Sequence, residues 1–185
     1  MLEEVIEFVD NSFKNCVTGY DPAHFQRTVY WATQLKTDVD EAIQIAAYSH
    51  DIQRAFRSTN TENTFKGLEM NDPEFLRAHQ EQGARIITDF LRNKGYNRIN
   101  VQRVYNMVLH HEEGGEDESD LIKDSDSLSY FDTNVTKHIH KTSLVIGKDK
   151  IRRKIEWMFE RISSSRAKEI ARPKYEEALK LLDEI

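Results

Sequence analysis

Apolar residues along this chain recur at intervals of three and four, and nowhere do four or five consecutive residues alternate apolar with polar. Leu2, Val5, Ile6, Val9 and Phe13 set the pattern, which is the stripe that one face of an amphipathic helix requires. Similar stretches cover Phe75 to Leu91, Ile99 to His111, Leu121 to Phe131, Val135 to Ile146, Ile151 to Ile162 and Ala167 to Ile185. Asp21-Pro22 and Asp72-Pro73 read as helix starts, an aspartate able to cap backbone N–H groups before a proline whose fixed φ suits the first turn. Asp38, with Glu41 three residues on, reads as a capping box leading into Ala42, Ile43, Ile45, Ala46 and Ala47. This helix is small-sided and apolar, so it is expected near the centre. With seven glycines and no Asn-Gly or Asp-Gly pair, hairpin signals are absent, and the fold class is all-α, a single helical bundle. The expected loops are Asn15 to Tyr20, Arg57 to Asn71 and Glu112 to Ser119.

A length of 185 residues fits one domain, read here as residues 1–185 with a core at about 20–130 and C-terminal helices over 133–185. The single cysteine, Cys16, excludes an internal disulfide and any thiolate metal cluster, which suits a reducing compartment. No apolar run approaches the roughly 20 residues that span a bilayer, and Met1-Leu2-Glu3-Glu4 lacks a basic leader region. A cytoplasmic protein without membrane association is expected. The net charge of −6 argues against a stable nucleic-acid complex. It conceals an asymmetry: Glu112 to Asp126 holds eight acidic residues and one lysine, whereas Lys148 to Lys174 holds ten basic and four acidic residues. These segments read as two oppositely charged, solvated helix faces.

The seven histidines carry the chemistry. His24 falls in the first turn of a helix, His50-Asp51 in the central apolar helix, His79 early in another, and His110-His111 at the end of a fourth. Imidazole nitrogen and carboxylate oxygen together suit divalent first-row metals, and ligands from separate helices can converge inside a bundle. His50 and Asp51 stand beside Ala-Ala-Tyr-Ser, and two ionisable groups buried there unpaired would cost several kcal/mol, so a metal or a dedicated partner is the economical explanation. His138 and His140 read as caps or surface residues, since nothing else marks them.

The order His24, His50-Asp51, Asp126 resembles the H…HD…D signature of the HD superfamily of metal-dependent phosphohydrolases. Asp21-Pro-Ala-His24-Phe-Gln-Arg27 is similar to that family's opening segment, and Ala46-Ala47-Tyr48-Ser49-His50-Asp51-Ile52 to its HD helix. His79-Gln-Glu-Gln-Gly83-Ala84, Asp124-Ser-Asp126-Ser-Leu128 and Ser165 to Tyr175 are similar to further segments of its small single-domain members. His110-His111-Glu112 resembles the cyclic-dinucleotide phosphodiesterase branch, but Gly114-Gly-Glu-Asp-Glu-Ser stands where Gly-Tyr-Pro would be expected.

The resemblance implies that His24, His50, Asp51 and Asp126 bind a divalent cation (manganese, nickel, magnesium, cobalt, zinc or iron). His79, with His110 or His111, would hold a second ion or contact phosphate. Asp51 would also bridge toward a second ion or hold the attacking water. Arg27, one turn after His24, is the candidate phosphate clamp, with pairing to Asp21 or Asp124 as the other reading. Lys123 and Arg54 are weaker candidates for substrate contact. The implied activity is hydrolysis of a phosphate ester or anhydride, with a small phosphorylated substrate and a nucleotide expected. A di-iron oxygenase-like enzyme on the same fold and a non-catalytic metal or nucleotide sensor are the alternatives. The acidic stretch argues against a highly anionic substrate unless it points away from the site. A homodimer is left open.

Overall fold

The structure, a computed structural model, describes residues 1–19 and 21–185. Among them there is no strand, and every regular element is helical. Helix α1 (Leu2–Phe13) buries Val5, Val9 and Phe13, the residues of the opening stripe. Helix α2 (Pro22–Leu35) starts at Asp21-Pro22 as expected. Of the loop expected over 15–20, Tyr20 lies outside the described residues.

Helix α3 (Glu41–Ser49) is capped by Asp40 rather than Asp38: the Asp40 side chain accepts from the Ile43 N–H at 3.1 Å, because the helix begins one residue before Ala42. It packs against α1 and α2 and is buried from Ile45 to Ser49. His50 and Asp51 do not lie within this helix. His50 is its C-cap, and Asp51 leads into a 3₁₀ turn over Ile52–Phe56. The chain thus turns immediately after the His-Asp pair and presents both side chains from a helix end.

The segment expected as a loop, 57–71, contains helix α4 (Thr61–Phe65), capped by the Asn60 side chain on Asn63 N–H at 2.9 Å. Phe65 anchors it from within. Lys150 Nζ secures the end of α4 and the stretch beyond it, donating to the carbonyls of Phe65, Lys66 and Leu68 at 2.8, 3.1 and 3.0 Å. Helices α5 (Pro73–Asn93) and α6 (Arg98–Leu109) form an antiparallel pair. Asp72 caps α5 through Phe75 N–H at 2.9 Å.

Helix α7 (Asp117–Thr133) is the largest departure from expectation. Its charge predicts a solvated face, yet every residue from Ile122 to Phe131 is buried, with Lys123, Asp124 and Asp126 only 4, 2 and 7% exposed. Serines make this workable: Ser125 and Ser127 return their hydroxyls to the carbonyls of Leu121 and Lys123 at 2.7 and 2.9 Å, so small polar residues enter the interior already satisfied. Asp124 accepts from the N–H groups of Ser163 and Ser164 at 2.8 Å each, at the start of the last helix. Helix α7 therefore joins two apolar cores, one through Ile122 with α1, α3, α5 and α6, the other through Leu128 and Phe131.

The stretch 135–146 is broken into α8 (Val135–Lys137), a π-helical turn His138–Thr142 and α9 (Ser143–Ile146). Helices α10 (Lys148–Glu160) and α11 (Ser165–Glu184) complete the second core. The basic segment they carry is used internally: Arg153 pairs with Glu69 at 3.0 Å, Arg152 with Asp183 and Lys174 with Asp132. Among the described residues no helix is long and apolar enough to cross a membrane.

Candidate metal centre

Four histidines and two aspartates meet where α2, the end of α3, α5, the end of α6 and α7 converge. His24, the third residue of α2, is 4% exposed and puts Nε2 3.0 Å from Asp126 Oδ1 of α7. His50 Nε2 lies 3.4 Å from the same oxygen. His79 of α5 brings Nε2 to 3.0 Å from Asp51 Oδ1. His111 is fully buried, its ring 5.2 Å from that of His50 and 5.3 Å from that of His79. Gly83 sets α5 beside the His50 carbonyl oxygen, which a Cβ at that position would meet at an ordinary contact distance of 3.4 Å.

The hydrogen bonds on the far side of each ring determine what faces the cluster. His50 and His111 direct Nδ1 at the carbonyl oxygens of Ala47 and Val108, at 2.8 and 2.7 Å. A carbonyl only accepts, so Nδ1 carries the proton and, in the neutral ring, Nε2 is a bare lone pair. Ser129 donates its hydroxyl to the His24 carbonyl at 2.8 Å and therefore accepts from His24 Nδ1, also at 2.8 Å. Gln53 Oε1 receives both Arg57 Nε at 2.7 Å and His79 Nδ1 at 2.9 Å. The rings of His24, His50 and His111 are oriented alike, an outer N–H anchored to oxygen and the inner nitrogen turned to the cluster, while His79 Nδ1 meets both Gln53 Oε1 and the Arg57 Nη2 donor at 3.2 Å.

Lone pairs facing carboxylate oxygens repel unless a cation lies between them. The Nε2 atoms of His50 and His111 are buried without a hydrogen-bond partner. With protons alone, burial disfavours charge on His50, but the Asp126 carboxylate outweighs it and holds the imidazole at about 9. His111, where burial dominates, falls to about 4 and stays neutral. Burial likewise opposes ionisation of Asp51, yet Arg54 and the His79 hydrogen bond hold its carboxyl well below the usual range. Asp126 is kept ionised against its burial by Arg161 and His50. The two partnerless nitrogens of His50 and His111, beside two ionised carboxylates, fit a divalent cation that would take the place of the His50 proton. Ligand atoms within 4.8 Å of one another form two groups, His24–His50–Asp51 and Asp51–His79–His111, which share Asp51.

The other sequence candidates fall in different places. His110 is exposed and lies outside both groups, because the chain turns between it and His111. Arg27 is neither at the site nor paired with Asp21 or Asp124: its Nε binds Asp132, and its guanidinium lies 4.2 Å from the centre of the Tyr30 ring. Lys123 points away, to Asp120 Oδ1 and Ser163 Oγ at 2.6 Å each. Arg54 is at the site, 2.7 Å from Asp51 Oδ2.

Several residues at the site carry no sequence signal. Arg161, beyond α10, spans Glu112 and Asp126 with its two terminal nitrogens and gives Nε to Ser127 Oγ at 2.9 Å. Burial opposes its charge, but the two carboxylates raise its affinity for the proton overall. A cleft opens over the cluster. Arg57 and Lys154 line it; among the described residues neither forms an ion pair, while Arg57 donates to Gln53 and lies over the Phe75 ring and Lys154 lies over the Trp157 ring. Burial lowers Arg57 to about 10 and Lys154 to about 8. Phe65, Met70, Phe75 and Met158 form an apolar wall. His138, read from sequence as a surface residue, lines the same cleft, 3.2 Å from the Tyr130 hydroxyl, and burial holds it at about 3.

A helical bundle with this His-Asp cluster has the fold of a solved structure, the crystal structure of a predicted HD superfamily hydrolase from an uncultured Thermotogales bacterium. The two superpose with a TM-score of 0.60 at 19% identity, over 99% of this chain and 90% of the other. The chain belongs to the family described as a domain of unknown function, DUF4202, which it matches over residues 9–182. No curated protein matches it.

Proposed function

We propose that this protein is a metal-dependent phosphohydrolase that cleaves a phosphate ester or anhydride, with a nucleotide as substrate. The observation that carries the reading is the pair of cations, Arg57 and Lys154, that line the cleft opening on the His-Asp cluster and, among the described residues, have no carboxylate partner in an ion pair. A partly buried cation without a carboxylate partner is poorly compensated in the free protein, and an anionic ligand relieves that cost. Of the acidic stretch, Glu113, Glu116 and Asp117 are exposed and do not line the cleft, while Glu112 lines it with its charge met by Arg161.

His24, His50, Asp51, Asp126, His79 and His111 would hold one or two divalent ions. A bound ion supplies Lewis-acid stabilisation of phosphoryl charge and lowers the pKa of water from 15.7 to about 7. Asp51, central to both ligand groups, orients the attacking water, while Arg54 fixes its second oxygen. Arg57 and Lys154 bind the phosphoryl oxygens and meet the charge that grows on them. The wall of Phe65, Phe75, Met70 and Met158 excludes water and accommodates a flat apolar group such as a nucleobase.

The test is metal content by elemental mass spectrometry of purified protein, with phosphate release from phenyl phosphate and a nucleotide panel. Manganese, nickel or magnesium with chelator-sensitive release is expected. Two irons with a paramagnetic signature and no phosphate release would overturn the reading in favour of oxygen chemistry.

A further inference from the structure

Part of the apolar wall of the cleft comes from the segment 61–70, which has little regular structure of its own. Helix α4 spans five residues, and a helix that short does not hold its shape without tertiary contacts. Its last carbonyls, like those at any helix end, lack intrahelical donors. Among the described residues no backbone N–H reaches the carbonyls of Phe65, Lys66 and Leu68. Lys150 of α10 meets all three: the ammonium group has three N–H donors and gives one to each. One turn on, Arg153 adds a two-pronged pair with Glu69, at 3.0 Å on each prong.

This clasp bears on the cleft through one residue. Lys150 binds the carbonyl of Phe65, and the side chain of Phe65 lines the cleft. The Phe65 ring stands 5.1 Å from that of Phe75 at an interplanar angle of 70°, the edge-to-face arrangement that aromatic pairs favour. Of the apolar residues lining the cleft, Phe65, Met70, Leu76, Tyr130 and Met158 are buried, whereas Phe75 is half-buried. Phe75 is therefore the apolar surface that a ligand meets, and Phe65 braces it. The Arg57 guanidinium lies 4.8 Å from the centre of the Phe75 ring. An anion on Arg57 and a ring on Phe75 are thus close enough to be parts of one small molecule.

We propose that Lys150 positions the Phe65–Phe75 pair and thereby sets a preference for substrates that carry an aromatic ring near the phosphate, with Phe75 as the specificity-determining contact. Lys150 itself does not line the cleft and acts through the segment it holds. The inference rests on the phosphohydrolase reading for the placement of the phosphate beside Arg57.

The experiment measures calorimetric binding of phenylphosphonate and methylphosphonate to the manganese-loaded full chain. Neither has an ester bond to cleave, so binding is read apart from turnover. The unaltered protein is expected to bind phenylphosphonate about tenfold more tightly, through the ring surface buried on Phe75. In Lys150→Met that preference is expected to fall to parity, with methylphosphonate affinity and metal content unchanged. Adding Lys150→Met to Phe75→Leu should lower the preference no further than Phe75→Leu alone, because both act on one ring contact. A role in folding alone would instead weaken both phosphonates together and add to the effect of Phe75→Leu. Lys150→Gln, which keeps two N–H donors for the three carbonyls, is expected to fall between the two proteins and carries the test where Lys150→Met does not fold. Equal binding of the two phosphonates by the unaltered protein, binding of neither, a preference that survives Lys150→Met, or failure of both Lys150 variants to fold would overturn the inference. Phenyl phosphate hydrolysis, assayed alongside, separates the two readings. Hydrolysis without ring preference refutes the role of Lys150 alone, and ring preference without hydrolysis of any ester refutes the phosphohydrolase alone.

Discussion

Arg161 binds the Oδ2 of Asp126, 35 residues earlier, and leaves Oδ1 to His24 and His50. One carboxylate is thereby divided between a structural cation and the ligand cluster. The Arg161 side chain is 5% exposed and also binds Glu112. Arg161→Gln strands two buried carboxylates, and a loss of about 3–5 kcal/mol is expected, read by urea denaturation. Metal affinity should change as well, because Asp126 is freed to rotate. An unchanged denaturation midpoint would show that the ion pair is absent in solution.

The sharing of Asp51 between two ligand groups predicts the metal count. Two divalent ions per chain are expected in the unaltered protein. His111→Ala should leave one, since its Nε2 belongs to only one group, whereas Asp51→Ala should affect both. Elemental analysis reads this directly. Chelation should also lower the melting temperature, because a ligand present at 100 times its Kd stabilises the folded state by about 2.7 kcal/mol.

Arg27 belongs to a cluster around Asp132, which also receives Trp31 Nε1 at 2.8 Å and Lys174. Arg27→Ala should leave kcat/KM unaltered on every phosphate substrate. Its side chain is 37% exposed, so the loss of stability should be under about 1 kcal/mol. A large fall in kcat would return Arg27 to the site.

Burial lowers Lys154 from 10.5 to about 8, so it is charged below that pH and neutral above it. Binding of an anionic substrate should weaken as pH rises through 8, with KM increasing about tenfold for the loss of one charge-assisted hydrogen bond. Lys154→Arg keeps its charge and should abolish that alkaline limb. Stability responds in the opposite direction: the unfolded chain holds this proton more tightly, so the contribution of Lys154 to stability rises between pH 8 and 10.5. A KM profile identical in both proteins would remove Lys154 from substrate binding.

Much of the architecture was legible because it depends on local rules. The stripes from Leu2 to Phe13 and from Phe75 to Leu91 needed only the helical period, and Asp72-Pro73 needed only the chemistry of a helix start. His24, His50, Asp51 and Asp126 stood out through their order, and the structure brings them together with His79. Helix α7 misled for the converse reason: its serines and acids resemble a solvated surface, and only partners from distant segments make it an interior helix. Asp124, for instance, is satisfied by backbone N–H groups at 163 and 164.

By itself, then, the sequence determined that the chain is helical, that helices begin at Asp21-Pro22 and Asp72-Pro73, and which His and Asp residues are candidate ligands, because period, capping and ligand type are properties of neighbouring residues. Tertiary structure alone decided that His111 and not His110 faces the cluster, that Arg27 serves Asp132, and that Arg57, Lys154 and Arg161 surround the cleft. Those assignments depend on which side of a turn meets which helix and on charges balanced across tens of residues. Such relationships exist only once the chain has closed on itself.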